Sequence, residues 1–262
     1  MKKFLCVVLA AILVAFTFVA CSGSKDSKAN DAKEEGGTLT MATNAEFPPY
    51  EFVEGGEIVG IDAEIAQAIA DKLGMELKIE NVEFSSVLAG VQSGKYDMGM
   101  AGITVTPERE EAGIFSNSYA KGVQVVIVNE DSGITSVDDI LDKKLKVGVQ
   151  TSTTGDIYAS DTVENGGFGE ENVVKYDNGA VAVQALKSGK VGCVIIDNEP
   201  AKSYVAANEG LKILETAYAD EDYAIYFSKD DTELRDKVNK ALEELIADGT
   251  VEKIVNKYIN AE

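Results

Sequence analysis

The chain of 262 residues contains no histidine and no tryptophan, three cysteines, four prolines, and two arginines among its 24 basic residues. The missing histidine excludes Ser-His-Asp and Cys-His nucleophile systems and every His-based metal site. Most enzyme mechanisms lose their usual parts. Positive charge is also scarce: 24 Lys and Arg stand against 45 Asp and Glu, for a net charge of −21 and a pI near 4.4. Nothing here neutralises phosphates, which excludes a nucleic-acid partner. Cys6 lies in an N-terminal apolar segment and Cys193 in an apolar strand, so a processed chain has no pair to oxidise and Cys193 reads as an inert core thiol.

At the N-terminus Lys2 and Lys3 precede an apolar run from Phe4 to Ala20. Its length lies between that of a signal segment and a short membrane helix. Val19-Ala20 before Cys21, followed by small polar residues, resembles the lipobox of bacterial lipoproteins, with Phe18 where leucine is usual. That implies removal of residues 1–20 and acylation of Cys21; an uncleaved anchor helix is the alternative. Either way the folded part is expected outside the cell, tethered to the membrane. Residues 21–37 are rich in Ser, Lys, Asp, Glu, Ala and Gly without an aromatic, the composition of a flexible tether.

From Thr38 onward short apolar strands alternate with helical periods, which argues for an α/β fold. TLTMAT (38–43), MELKIENV, YDMGM and GVQVVIV (122–128) read as strands. Residues 62–73 and 85–93 read as helices stopped by Gly74 and Gly94. The second half repeats this outline: strands at 145–150, VVKY and VGCVIID, with a helix from 180 to 187 stopped by Gly189. QSGKYDMGMAG (92–102) aligns with KSGKVGCVIID (187–197), sharing Ser-Gly-Lys and placing Gly102 opposite Asp197. Both strands end in small or polar loop residues, where open α/β sheets bind ligands. Two such lobes around one crevice form a clamp. Tyr223–Phe227 reads as a strand, and 232–248 as a helix with Leu234, Val238, Leu242, Leu245 and Ile246 on one face. A last helix covers about 250–259.

MAGITVTPERE (100–110) carries the sharpest anomaly. Thr106 is a good N-cap and Pro107 fits the first helical position, so Arg109 falls in the first turn, where a cation is unfavourable unless an anion lies beside it. A guanidinium there suits bidentate contact with a carboxylate. The alternative is a surface pair with Glu108, Glu110 or Glu111. Arg235, on the polar side of the last long helix, reads as a solvated residue. Asp197 emerges from an apolar strand where it could hold an ammonium group, or could cap the helix that Pro200 helps to start, with Asn198 the better-placed cap. TNAEFPPYEF (43–52) is a proline-stiffened loop bearing Phe47 and Tyr50, either a ligand platform or cover for the core edge; for Tyr50 the cover is the preferred reading. Phe84 opens another loop and could face Phe47 across a ligand or pack. Thr151-Ser-Thr-Thr-Gly155 is a hydroxyl-rich loop suited to a carboxylate; a helix cap accounts for one of its hydroxyls. ENGGFGEEN lacks the elements of a phosphate loop, and DEDY lacks calcium-loop spacing.

Together TNAEFPPYEF, GIDAEIAQAIADKLG, FSSVLAGVQSGKYDMGMAGITVTPERE, KVGVQTSTTGD, ALKSGKVGCVIIDNEPA and the C-terminal ELRDKVNKALEELIADGTVEKIVNKY resemble the polar amino-acid family of extracytoplasmic solute-binding proteins of ABC importers. The resemblance implies a two-lobed, type II periplasmic-binding-protein (Venus-flytrap) fold: residues 38–123 in lobe 1, 124–218 in lobe 2, and 219–262 returning to lobe 1. It also implies that Arg109 takes the α-carboxylate of a free L-amino acid with Thr104 and Thr154, that Asp197 and the Gly102 carbonyl take the α-ammonium, and that Phe47 and Phe84 sandwich the side chain. The expected partners are an ABC permease and ATPase and, through the lipid anchor, the membrane; a monomer is expected, with no cofactor and no metal. For ligand choice, Asn44 stands where some binders of basic amino acids have Asp. Glu46 could serve a guanidinium or ammonium, or point to solvent, and Gln150 with Asn44 would suit a neutral amide equally well, so arginine or lysine leads glutamine or cystine only slightly. A carrier serving a sensory receptor and a dehydratase-like enzyme are the rival readings.

Overall fold

The computed structural model describes residues 36–215 and 217–259. The leader, Cys21 and the tether through residue 35 lie outside the described residues. Alternation of apolar residues makes β1 (Thr38–Thr43), with Leu39 and Met41 fully buried. A small antiparallel sheet follows, β2 (Glu46–Phe47), β3 (Glu51–Glu54) and β4 (Glu57–Val59). Next comes α1 (Ile61–Leu73), whose Ile61, Ile65 and Ile69 recur at helical spacing and are all buried.

The chain continues through β5 (Glu76–Asn81), α2 (Phe84–Gln92) and β6 (Met98–Gly99). The last is shorter than YDMGM suggests, because the Asp97 carboxylate accepts the Thr40 N–H at 2.7 Å and substitutes for a ladder bond. Then α3 (Pro107–Ala112) runs directly into β7 (Gly113–Asn129), a strand of 17 residues. Only its second half reads as strand in the sequence.

The second half contains α4 (Val137–Asp142), β8 (Val147–Gln150), α5 (Thr154–Ser160), β9 (Val173–Tyr176), α6 (Gly179–Lys187), β10 (Cys193–Asp197), α7 (Asn198–Ala207) and β11 (Leu211–Ile213). The chain returns along β12 (Ala219–Ser228) to α8 (Thr232–Ala247) and α9 (Thr250–Ile259). In α8, Val238, Leu242 and Leu245 are buried but Ile246 is 43% exposed. It lies one residue, or about 100°, further round the helix than Leu245, which carries it off the apolar face.

The main sheet has the order β5-β1-β6-β12-β7-β10-β8-β9, with β11 also on β7. Its centre is the antiparallel pair β7 and β12, the two strands that join the lobes. Residues 113–124 of β7 pair with β12, while 124–127 pair with β10. Each lobe has its own core: α1, α8 and α9 cover one face of the first half-sheet, and α6 and α7 one face of the second. Cys193 is buried on the other face of the second half-sheet, among Val126, Val147 and Ile195, and burial pushes its thiol up to about 12.

Candidate functional site

A cavity with about 310 Å³ of empty space opens where the strand ends of the two half-sheets meet. Asn44, Phe47, Phe84, Gly102, Thr104 and Arg109 line it from the first lobe; Gln150, Thr154 and Asp197 line it from the second. Every residue singled out from the sequence for a ligand is therefore here except Glu46. Glu46 is exposed, a correction that follows from strand geometry: Phe47 faces the cavity, so its neighbour on β2 faces away. Tyr50 is buried against Tyr223, rings 5.1 Å apart and edge-on, and covers the core as read.

Arg109 is placed by its helix start. The Thr106 hydroxyl accepts the Arg109 N–H at 3.3 Å and Pro107 takes the first helical position. Arg109 is buried, only 6% exposed; its guanidinium lies 5.6 Å from the Phe84 ring centre and donates from Nη1 to the Thr104 carbonyl (2.8 Å) and from Nη2 to the Ser152 carbonyl (3.2 Å). None of the ion pairs among the described residues includes it. Glu108, Glu110 and Glu111 do not neutralise it. Arg235 by contrast pairs with Asp236 at 2.8 Å on the surface. Burial lowers the Arg109 pKa, and nearby Glu221 opposes that.

The hydroxyl-rich loop divides its work. Thr151 donates to the Tyr176 carbonyl (3.0 Å), and Thr153 accepts the Asp156 N–H (3.3 Å) as the cap of α5. Thr154 faces the cavity, 3.5 Å from the Thr104 hydroxyl of the other lobe. Gly102 has φ of 54°, and a Cβ there would lie 3.0 Å from the Phe47 ring, so only glycine fits this turn. Its N–H goes to Asp62 Oδ2 at 2.9 Å. Asp197 occupies the N-cap position of α7, not Asn198 as the sequence suggests, yet its side chain caps nothing.

Three buried acids escaped sequence reading. Glu51 lines the cavity at 1% exposure; Asp62 stands behind it, holding Gly102 and the Tyr119 hydroxyl (2.8 Å). Glu221, also buried, accepts from Gln124 at 3.1 Å. Burial first, then the charge of Asp62, holds the Glu51 carboxyl well above its usual range; burial raises Asp62 to about 6. Asp197 is pushed well up by burial and by Glu221. Glu51 Oε2 and Asp62 Oδ1 are buried without a hydrogen-bond donor, the arrangement of two carboxyls sharing a proton. In a chain with 45 acidic residues, no composition or spacing signal separates these from solvated ones.

Residues 39–261 match the model of the bacterial extracellular solute-binding proteins, family 3. The chain belongs to this family. Among curated relatives, this family-3 protein is 33% identical to the arginine-binding extracellular protein ArtP of Bacillus subtilis (strain 168), over 264 residues and 100% of both chains. Among solved structures, it matches the arginine-, lysine-, histidine-binding protein ArtJ of Geobacillus stearothermophilus with TM-score 0.79 and 31% identity, covering 86% of this chain and 96% of that one. An ancestral arginine-binding protein bound to arginine matches with TM-score 0.77 and 39% identity, over 86% and 100%. The two-lobed periplasmic-binding-protein fold is therefore shared with proteins of known structure, in a family that binds solutes rather than transforming them.

Proposed function

We propose that this protein captures a free L-amino acid with a cationic side chain, arginine or lysine, and presents it to the permease and ATPase of an ABC importer. One observation carries the reading: Arg109 is a buried guanidinium without a carboxylate, in the same cavity as a buried aspartate, Asp197. An isolated buried charge is costly, and an α-carboxylate beside an α-ammonium supplies both complements at once. Thr104 and Thr154 add hydroxyl donors for the carboxylate, and the Gly102 carbonyl a second acceptor for the ammonium.

The side chain would lie between Phe47 and Phe84 towards Glu51. Cationic ligands are favoured over neutral amides because Asn44 and Gln150 are engaged with each other, Gln150 Nε2 to Asn44 Oδ1 at 2.9 Å, while Glu51 offers an acid on the wall. Similarity to ArtP, ArtJ and the ancestral protein points the same way. Lobe boundaries near 123–124 and 218–219, and a lipid anchor at Cys21 holding the protein at the outer face of the membrane, complete the proposal.

The test is thermal unfolding of the chain from Ser22, stripped of ligand, against the twenty amino acids, ornithine and cystine. A rise of several degrees confined to arginine, lysine and ornithine is expected, because stabilisation grows with ligand over Kd. A rise confined to neutral amino acids would displace the cationic reading.

A further inference from the structure

We infer that the Tyr223 hydroxyl is a positioning group for the ligand amine: it donates to Asp197 Oδ1 from the strand that joins the lobes, turning the second carboxylate oxygen to the ligand. The inference rests on the amino-acid reading of the same cavity.

An aspartate at a helix N-cap ordinarily accepts an N–H of the first turn. Asp197 sits at that position of α7 and makes no such bond. Its carboxylate is held by Tyr223 instead. Tyr223 is wholly buried, and its ring stands edge-on to Tyr50 in the first-lobe core. Its backbone bridges to Thr104, on the cavity wall. The facing strand carries Gly122, where a Cβ would lie 2.4 Å from the tyrosine hydroxyl, so the glycine makes room for the ring. The tyrosine is fixed by lobe 1 and the aspartate belongs to lobe 2. Their bond therefore sets the carboxylate in the orientation that goes with the closed arrangement of the lobes.

The bond also fixes charge state. Asp197 is faced by Glu221 and Tyr223 from β12, Gln124 from β7 and Arg109 from α3. Tyr50 and Glu51 from the first lobe and Tyr158 from α5 complete its electrostatic surroundings. Burial and the Glu221 charge favour the neutral acid, whereas the tyrosine hydroxyl favours the carboxylate. Only the carboxylate holds an ammonium group well. Without the hydroxyl, acidification should abolish binding at a higher pH than in the native protein.

Tyr223→Phe removes the hydroxyl and keeps the ring, so the fold is retained and circular dichroism checks it. Calorimetric titration would use L-arginine and 5-guanidinopentanoate, which has the same carboxylate and guanidinium without the amine. For L-arginine the variant is expected to lose about tenfold in affinity, the scale of a hydrogen bond to a charged group, with the acid limb of the pH profile moved upward. For the amine-free analogue the two proteins should agree within about twofold. Equal losses for both ligands would reduce Tyr223 to a packing residue and overturn the inference. Carboxyl-carbon NMR of Asp197 decides it without any ligand: its titration midpoint should rise in the variant, and an unchanged midpoint would overturn the proposal. Failure of the native protein to bind L-arginine would count against the ligand reading, while the carboxyl titration would still judge Tyr223.

Discussion

Gln150, at the end of a second-lobe strand, donates its side-chain amide to Asn44, just past the first strand of the other lobe, at 2.9 Å in a buried position. The bond exists only when the lobes are together. With Arg109 to the Ser152 carbonyl and Tyr204 to the Glu46 carbonyl (3.1 Å), it belongs to a set of direct bridges across the cleft. Removing one partner leaves the other buried and unpaired, a cost that falls on the closed state alone. Asn44→Ala should therefore weaken L-arginine binding by roughly tenfold, about 1.4 kcal/mol, and enlarge the ligand-free protein in small-angle scattering. Unchanged affinity and unchanged dimensions would remove the pair from the closure mechanism.

Arg109→Lys keeps the charge and loses the planar fork. The two carbonyls it bridges, Thr104 and Ser152, and a ligand carboxylate cannot all be served by one ammonium group. Calorimetry should show roughly a hundredfold weaker binding, about 3 kcal/mol. A loss below threefold would mean that charge alone is read at this position.

Glu51→Gln tests the choice of side chain. A cationic ligand side chain favours the ionised form of the Glu51 carboxyl, which a glutamine of the same shape cannot supply, so affinity for L-arginine should fall by about tenfold or more while that for L-glutamine holds or improves. Parallel losses for the two amino acids would assign Glu51 to the architecture of the wall and not to selectivity.

Asp62 gives a pH signature in stability. Its folded carboxyl is raised to about 6 from an ordinary 3.8, with burial the leading cause, and the Gly102 and Tyr119 donors opposing it. A raised acid binds more protons in the folded state, so its contribution is fully present below about 3.8 and is lost as pH climbs through 6. That interval is worth about 3 kcal/mol. Asn at position 62 can still accept the Gly102 N–H and has no proton to lose. Urea unfolding from pH 4 to 7 should show Asp62→Asn gaining roughly 2.4 kcal/mol on the native protein across this range; parallel curves would contradict the assignment.

The fold was legible where local chemistry dictates it. Thr106-Pro107 announced a helix start and so placed Arg109, and the apolar run before Asp197 put that carboxylate at a strand end beside the cavity. The spacing of Ile65, Ile69 and Leu73 marked the inner face of α1, where Ile65 and Ile69 are buried and Leu73 is half-buried at its end. Less legible was β7, because GIFSNSYAK lacks clean alternation and is held as a strand by its partner β12. Glu46 and Glu51 are indistinguishable by type; which one meets the cavity depends on which face of a small sheet turns inward, a tertiary fact. Asp62 reads as an ordinary acidic residue in a first helical turn, and its burial under Gly102 is set by residues forty positions away.

The central claim is that Arg109 waits for an α-carboxylate. Calorimetric titration of the native protein and Arg109→Ala with L-arginine and with agmatine, the same molecule without its carboxylate, tests it most directly. The account predicts tight binding of L-arginine to the native protein, a loss of at least about a hundredfold for agmatine, and little difference between the two ligands in Arg109→Ala. Agmatine binding as tightly as L-arginine, or Arg109→Ala retaining native affinity for L-arginine, would contradict it.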